Sequence, residues 1–272
     1  MRYLIFMGCC GVVFFLVSSS IAGDFPYREK YPEVNIVELA DLKSGYESGD
    51  FIIVDVRSKV EFETIHIKKA INVPYGNANF TKDFNRIARK DLSRKIAIYD
   101  NGHNCIKSYI AATDAFDFAS IPNIYVFDAG ITAWAKAYPS ATLLLGGELK
   151  NPGTQLHSEG NFTNKKLDFD TFKNKAAGSK GLVIDLRDPI QRKEKLPGLE
   201  NALPIPIDKL VRNIISKGNM KDKQLFIFDQ VGEQVKWVMY YLVANGYTDF
   251  YFLDGGATAV LKEQNYRVSL AY

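Results

Sequence analysis

Two loops in this chain hold the residue types that could do chemistry. The first reads Asp100-Asn101-Gly102-His103-Asn104-Cys105-Ile106-Lys107-Ser108, and the second reads Asp229-Gln230-Val231-Gly232-Glu233-Gln234-Val235. Each follows a short apolar run that ends in an aromatic residue, Tyr99 or Phe228, and each leads into a run with helical spacing. A strand–loop–helix of this kind turns successive backbone N–H groups inward. It adds the positive end of a helix dipole and so makes a cradle for an anion. Asn101, Gly102, His103, Asn104, Ile106, Lys107 and Ser108 are therefore the candidate anion-binding residues. Cys105 is the candidate nucleophile, because a helix start and Lys107 favour its thiolate. The alternative is a small apolar residue that fills space beneath the loop. His103, two residues away, is either a base for Cys105 or a solvated loop histidine.

An aspartate opens each loop. A carboxylate is itself an anion, and its two oxygens accept several hydrogen bonds. Asp100 and Asp229 are expected to occupy their own cradles, lock the loops and repel an anionic ligand. The same logic predicts a depressed carboxyl pKa, since N–H donors favour the charged form. The scattered histidines and cysteine make no metal-ligand spacing, and no Gly-rich nucleotide loop is present. No metal and no cofactor are expected. The 34 Lys and Arg residues nearly balance the 31 Asp and Glu, and they are interspersed. With no basic stripe, a nucleic-acid partner is not expected.

The elements that must position these loops can be read from patterning. Phe51 to Val54 is a continuous apolar run, as in a strand buried on both faces. Ala70 to Val73, Lys95 to Tyr99 and Asn123 to Phe127 read as further strands. Glu38 to Tyr46, Lys59 to Glu63, Phe80 to Ile87, Ile106 to Phe118 and the stretch from Gly130 through Trp134 read as helices. This alternation suggests βαβ units around a parallel sheet. The pattern then repeats. Ile53-Val54-Asp55-Val56-Arg57 recurs as Val183-Ile184-Asp185-Leu186-Arg187. Lys69-Ala70-Ile71-Asn72-Val73-Pro74 recurs as Asn201-Ala202-Leu203-Pro204-Ile205-Pro206, and Ile98-Tyr99-Asp100 as Ile227-Phe228-Asp229. Tyr125-Val126-Phe127-Asp128-Ala129-Gly130 recurs as Tyr251-Phe252-Leu253-Asp254-Gly255-Gly256. Blocks in the same order at a nearly fixed offset indicate a duplicated domain. The predicted boundaries are 34–140 and 164–272. The Gly-, Asn-, Pro- and Ser-rich stretch 141–163 is the linker.

This order of blocks resembles two rhodanese (sulfurtransferase) domains in tandem. The resemblance implies an α/β fold of two rhodanese-like domains, each a mainly parallel sheet flanked by helices. It also implies that the residue after Tyr99 or Phe228 stands where the family has its catalytic cysteine, here replaced by Asp100 and Asp229. The first loop resembles a longer version of the family loop, with Cys105 at a second cysteine position and Lys107-Ser108 at its close. The second departs three times, at Asp229, Gln234 and Val235. A phosphatase of the kind that shares this fold would need a cysteine and an arginine bracketing the loop, and both copies lack that pair. His66, Glu61, Phe62, Trp134 and the pairs Asp55/Arg57 and Asp185/Arg187 match family elements and read as structural. Three functions remain open. One is a binding or accessory module without ordinary thiosulfate catalysis, its partner a small sulfur anion or a protein persulfide. The second is a sulfurtransferase or persulfide carrier that uses Cys105. The third is a structural interaction module.

The first residues form a separate signal. Arg2 precedes the apolar run from Leu4 to Val17, which is too short to span a bilayer comfortably, and Ser20-Ile21-Ala22 reads as a cleavage site. A signal peptide is expected over residues 1–22, with export to a periplasm or the exterior and no stable membrane anchor afterwards. Cys9 and Cys10 would leave with it, and Cys105 would be the one cysteine of the mature chain. Asn79-Phe80-Thr81 and Asn161-Phe162-Thr163 match the glycosylation sequon, which matters only in a eukaryotic secretory pathway. Expressed with its own leader in a secreting host, the protein is expected to begin at Gly23 on N-terminal sequencing. A full-length chain held in the membrane fraction would refute this.

Overall fold

The structure, a computed structural model, describes residues 25–119, 121, 123–189 and 191–270 apart from residue 104, leaving aside the side chains at 118, 119 and 265–270. The predicted signal peptide and Asn104 lie outside the described residues. Among the described residues no helix is long and apolar enough to cross a membrane.

The first half contains β1 (Asn35–Ile36), α1 (Leu39–Ser48), β2 (Phe51–Asp55), α2 (Lys59–Thr64), β3 (Ile65–Ile67) and β4 (Ile71–Asn72). It continues with α3 (Phe80–Ala88), β5 (Lys95–Tyr99), α4 (Lys107–Ala119), β6 (Ile124–Phe127) and α5 (Gly130–Ala137). Its main sheet has the order β1-β6-β5-β2-β4, every pair parallel. The second half contains β9 (Lys166–Leu167), α8 (Phe169–Ala176), β10 (Gly181–Asp185) and β11 (Leu203–Pro204). After α9 (Ile207–Lys209) come β12 (Gln224–Phe228), α10 (Gln234–Ala244), β13 (Phe250–Leu253) and α11 (Gly256–Leu270). Read from β9, its sheet has the order β9-β13-β12-β10-β11, again parallel throughout. The registers also agree: Asp55 sits opposite Tyr99, and Asp185 opposite Phe228. The two main sheets thus use the same strand order.

Continuous apolar runs make the central strands because both faces are covered by helices. Ile96, Ala97, Ile98 and Tyr99 of β5 are buried, as are Leu225, Phe226, Ile227 and Phe228 of β12. Each large side chain so buried contributes roughly 1.5–3 kcal/mol. These cores hold the carboxyl ends of β5 and β12 rigid, where the two loops begin.

The stretch 141–163 is more structured than a linker. It forms β7 (Thr142–Leu144), β8 (Gly147–Glu148), α6 (Pro152–Gln155) and α7 (Glu159–Thr163). The strands β3, β7 and β8 make a small antiparallel sheet in which His66 pairs with Leu143. Leu149 enters the first half's core, and Phe162 enters a core of the second half. The halves also interlock. Val60 of α2 lies in the second half's core, while Trp237 and Tyr240 of α10 pack among Ile65, Trp134 and Leu149.

Two glycines fix the first loop against α5. Gly130 has φ +63°, and a Cβ there would stand 2.3 Å from the Gly102 nitrogen. Gly102 itself has φ +107°. Gly130→Ala is expected to destabilise the fold by about 3 kcal/mol, combining left-handed backbone cost with overpacking. Gly147→Ala, whose Cβ would meet only one backbone oxygen at 3.7 Å, should cost far less. Urea midpoints at constant m-value compare the two.

Candidate functional site

The first loop is built around Asp100, which is fully buried at the end of β5. Its Oδ1 accepts the Gly102 N–H at 2.8 Å, and its Oδ2 accepts the Ser108 N–H at 2.8 Å. The Cys105 side chain lies beside this carboxylate. The Cys105 N–H donates to the Gly102 carbonyl at 2.8 Å, and the Ile131 N–H donates to the Asp100 carbonyl at 3.1 Å. The loop is thus closed on itself and pinned to α5.

Asp229 does the same at the end of β12. Its Oδ1 accepts the N–H groups of Val231, at 2.8 Å, and Gly232. Its Oδ2 accepts those of Gln234 at 2.6 Å and Val235 at 3.0 Å. The Ala257 N–H donates to the Asp229 carbonyl at 2.9 Å, in the place that Ile131 takes in the first half. Each carboxylate therefore sits on the inward-turned N–H groups of its own loop.

The expected depression of the Asp100 carboxyl is overturned. Burial pushes it above the ordinary carboxylate range, and the N–H groups of Ser108 and Gly102 offset this only in part. The N–H donors alone would lower it, but the depth of burial penalises the charged form more strongly. Cys105 reverses its expectation as well. Burial first, then the charge of Asp100, pushes its thiol up to about 12, against the helix start and Lys107. It is half-buried and protonated at neutral pH.

A network ties this loop to the neighbouring strand end. Ser58 and Glu61 form a capping box that starts α2. Glu61 also accepts the Asn101 amide at 2.9 Å. Burial alone would raise the Glu61 carboxyl, but the charges of Lys107 and Arg57, with the Asn101 and Ser58 hydrogen bonds, hold it below its usual value. Arg57 lies fully buried and donates to Asp55 at 2.6 Å, to the Ile65 carbonyl at 2.5 Å and to Asn101 at 3.2 Å. Its guanidinium lies over the rings of Tyr99 and, from the other half, Trp237. Arg187 repeats the Asp185 pairing but turns its remaining donors to the carbonyls of Gln191 and Glu194. These pairs position loops, as their place in the sequence suggested. His66 stacks on Phe62, and its Nδ1 bonds the Phe62 carbonyl at 2.7 Å. Trp134 is buried, its indole donating to the Ala141 carbonyl at 3.2 Å.

Of the remaining candidates, Gly102 and Ser108 are buried within the loop, and Asn101, Ile106 and Lys107 are half-buried around it. His103 is exposed at the loop tip, with the Phe25 ring 5.0 Å away. That contact belongs to a feature the sequence reading missed. Residues 25–34 strap across α4: Tyr27 and Tyr31 pack on Tyr109, and Arg28 donates to Asp128 at 2.7 Å. Tyr109 donates to the same carboxylate at 2.7 Å. Asp128 was visible in the recurring block, but its partners lie too far along the chain to be read from spacing.

The fold and the loops can now be set beside known proteins. The segment from residue 38 to residue 137 matches the family model for the rhodanese-like domain. Residues 38–137 are a rhodanese-like domain. Among solved structures, the chain is similar to a Bacillus halodurans protein at 24% identity, covering 46% of this chain and 88% of that one, with a TM-score of 0.37. The rhodanese-like domain of an Anabaena protein is similar at 25% identity, over 41% of this chain and 80% of its own, with a TM-score of 0.32. A thiosulfate sulfurtransferase from Pseudomonas aeruginosa is similar at 18% identity over 85% of this chain and 45% of its own, with a TM-score of 0.36. No curated protein matches the chain.

The state of Cys105 is directly testable. A shift from 9.0 to about 12 cuts the thiolate fraction at pH 8 by about a thousandfold. Alkylation by iodoacetamide should therefore be very slow and should rise about tenfold per pH unit up to strongly alkaline pH. Asp100→Asn removes a neighbouring negative charge and should speed it. A rate that levels off below pH 9 would show a thiolate the structure does not provide for.

Proposed function

We propose that the protein is an exported pair of rhodanese-like domains that does not carry out ordinary thiosulfate sulfurtransfer and serves as a binding or accessory module. In this reading Asp100 and Asp229 stand at the two catalytic-cysteine positions. The observation that supports it best is the occupation of both loops by their own carboxylates, down to the hydrogen bonds on each oxygen. Sulfurtransfer from thiosulfate needs a thiolate that attacks the outer sulfur, expels sulfite and remains as a persulfide. A carboxylate cannot hold sulfane sulfur, and its charge repels the donor.

A small sulfur anion would have to compete with Asp100 for the same N–H groups, which favours an accessory role with a protein partner over free anion binding. The reading of Cys105 as a persulfide carrier is disfavoured by its burial and by the charge of Asp100 beside it, which together raise its pKa. The leader pattern supports export to a periplasm or the exterior.

The deciding measurement is intact mass before and after thiosulfate, on the native chain, on Cys105→Ser and on Asp100→Cys. The native chain is expected to gain nothing. Asp100→Cys is expected to gain one sulfur atom, removable by cyanide, because the cradle would then hold a thiolate. A gain on the native chain that disappears in Cys105→Ser would replace this proposal with the carrier reading. No gain on folded Asp100→Cys would refute the substituted cradle.

A further inference from the structure

We propose that a cavity between the two halves is a binding site for a planar aromatic carboxylate. The cavity is about 420 Å³, and none of its lining residues comes from either aspartate loop. It lies between α5 of the first half and α10 of the second, closed on one side by the segment joining α6 to α7. Its volume suits a one- or two-ring molecule.

The walls specify an aromatic body. Trp237 and Tyr240 are more than nine-tenths buried, and their rings lie nearly parallel, 15° apart in plane at 6.2 Å. The His157 ring packs on Tyr240 at 4.4 Å. Ile131, Ala135 and Leu156 supply the facing apolar surface. Flat π-faces and aliphatic side chains favour a flat ligand over a branched one.

The polar groups specify an acceptor with negative charge. The Tyr240 hydroxyl accepts the His157 N–H at 3.2 Å, but its own proton goes to no described residue. The Trp237 indole also lines the cavity, whereas the Trp134 indole donates to the Ala141 carbonyl. Tyr240 and Trp237 both line the cavity, and their O–H and N–H groups are donors that it offers to a ligand acceptor. At the margin of the cavity the cations exceed the anions. Lys136 and Lys236 line it against the single carboxylate of Glu159. Lys236 is bonded to Glu159, and the charges of Lys166 and Lys136 bear on the same carboxylate. Glu159 is exposed, so a ligand carboxylate can displace it from the lysines at little cost. Such a ligand would bridge the two halves, with its ring against Trp237 and Tyr240 and its charge at the lysines.

The test uses the full chain labelled with nitrogen-15 and 2-naphthoate as the probe, with 2-naphthamide as the uncharged control. The chain has two tryptophans, so the indole region shows two resonances, assigned by Trp237→Phe. The expected result is a saturable shift of the Trp237 resonance with Trp134 unmoved. Naphthamide should bind about tenfold more weakly, and so should naphthoate to the Lys136→Ala/Lys236→Ala variant, for want of the charge-assisted contact. These lysines are at the margin of the cavity, and an unchanged Trp134 resonance reports that the variant is folded. Absence of a Trp237 shift at about millimolar naphthoate would overturn the proposal. So would equal binding of the amide, or parallel movement of both indoles.

Discussion

Backbone N–H groups that turn into a protein must meet an acceptor, and this molecule answers that demand twice from within its own chain. At the ends of β5 and β12 the backbone curls so that several N–H groups point at one place. Left unmet, each would cost about 1–3 kcal/mol. The Asp100 and Asp229 carboxylates meet them. The remainder of each loop follows from that choice. A buried carboxylate needs donors on both oxygens, so the loop must wrap it. Wrapping requires close backbone approach, which explains Gly102 against Gly130 and Gly232 against Gly256. The carbonyl of the same aspartate then accepts from the next helix, which ties loop, strand and helix into one piece.

The same constraint reaches across the molecule through Arg57. A fully buried guanidinium must be paired, and here it holds Asp55, the Ile65 carbonyl and Asn101 of the first loop. Trp237, from the second half, covers it. Deleting that ring would expose a buried ion pair on which the first loop leans. Truncating one member of such a pair costs several kcal/mol, chiefly through the partner left unpaired. The second half therefore acts on the first loop by covering its support, without touching Asp100. Arg187 spends its spare donors on the carbonyls of Gln191 and Glu194, within its own half.

The parts of this that were legible in one sequence are those encoded locally or by repetition. The strand ends, the loops, the Asp-x-Arg pairs and the recurring blocks all show as residue types in order. The antiparallel sheet did not show, because β3 pairs with strands from a stretch whose Gly, Asn and Pro content reads as connection. The strap over α4 did not show, because Arg28 and Asp128 are brought together only by the fold. For Cys105 and Asp100 the neighbours were right and the sign was wrong. Donors, dipole and Lys107 are visible in a sequence, whereas desolvation is not, and desolvation is the larger influence on both groups.

The two loops are also unequal, and the inequality bears on what each can still do. Around Asp229 every described partner is a backbone N–H, supplied by Val231, Gly232, Gln234 and Val235. Backbone donors are indifferent to side-chain identity, so substitution in that loop leaves the carboxylate satisfied as long as the path of the chain holds. Around Asp100 the described donors are the Gly102 and Ser108 N–H groups, and the Cys105 thiol lies beside them. A thiol is a small neutral group, and oxidation or alkylation enlarges it and, on the higher oxidation steps, charges it. Modification of Cys105 would crowd a buried carboxylate in a loop that also carries Asn101, and through it Glu61 and Arg57. The first loop is thus the one whose state depends on a reactive atom, although that atom is held in its least reactive form.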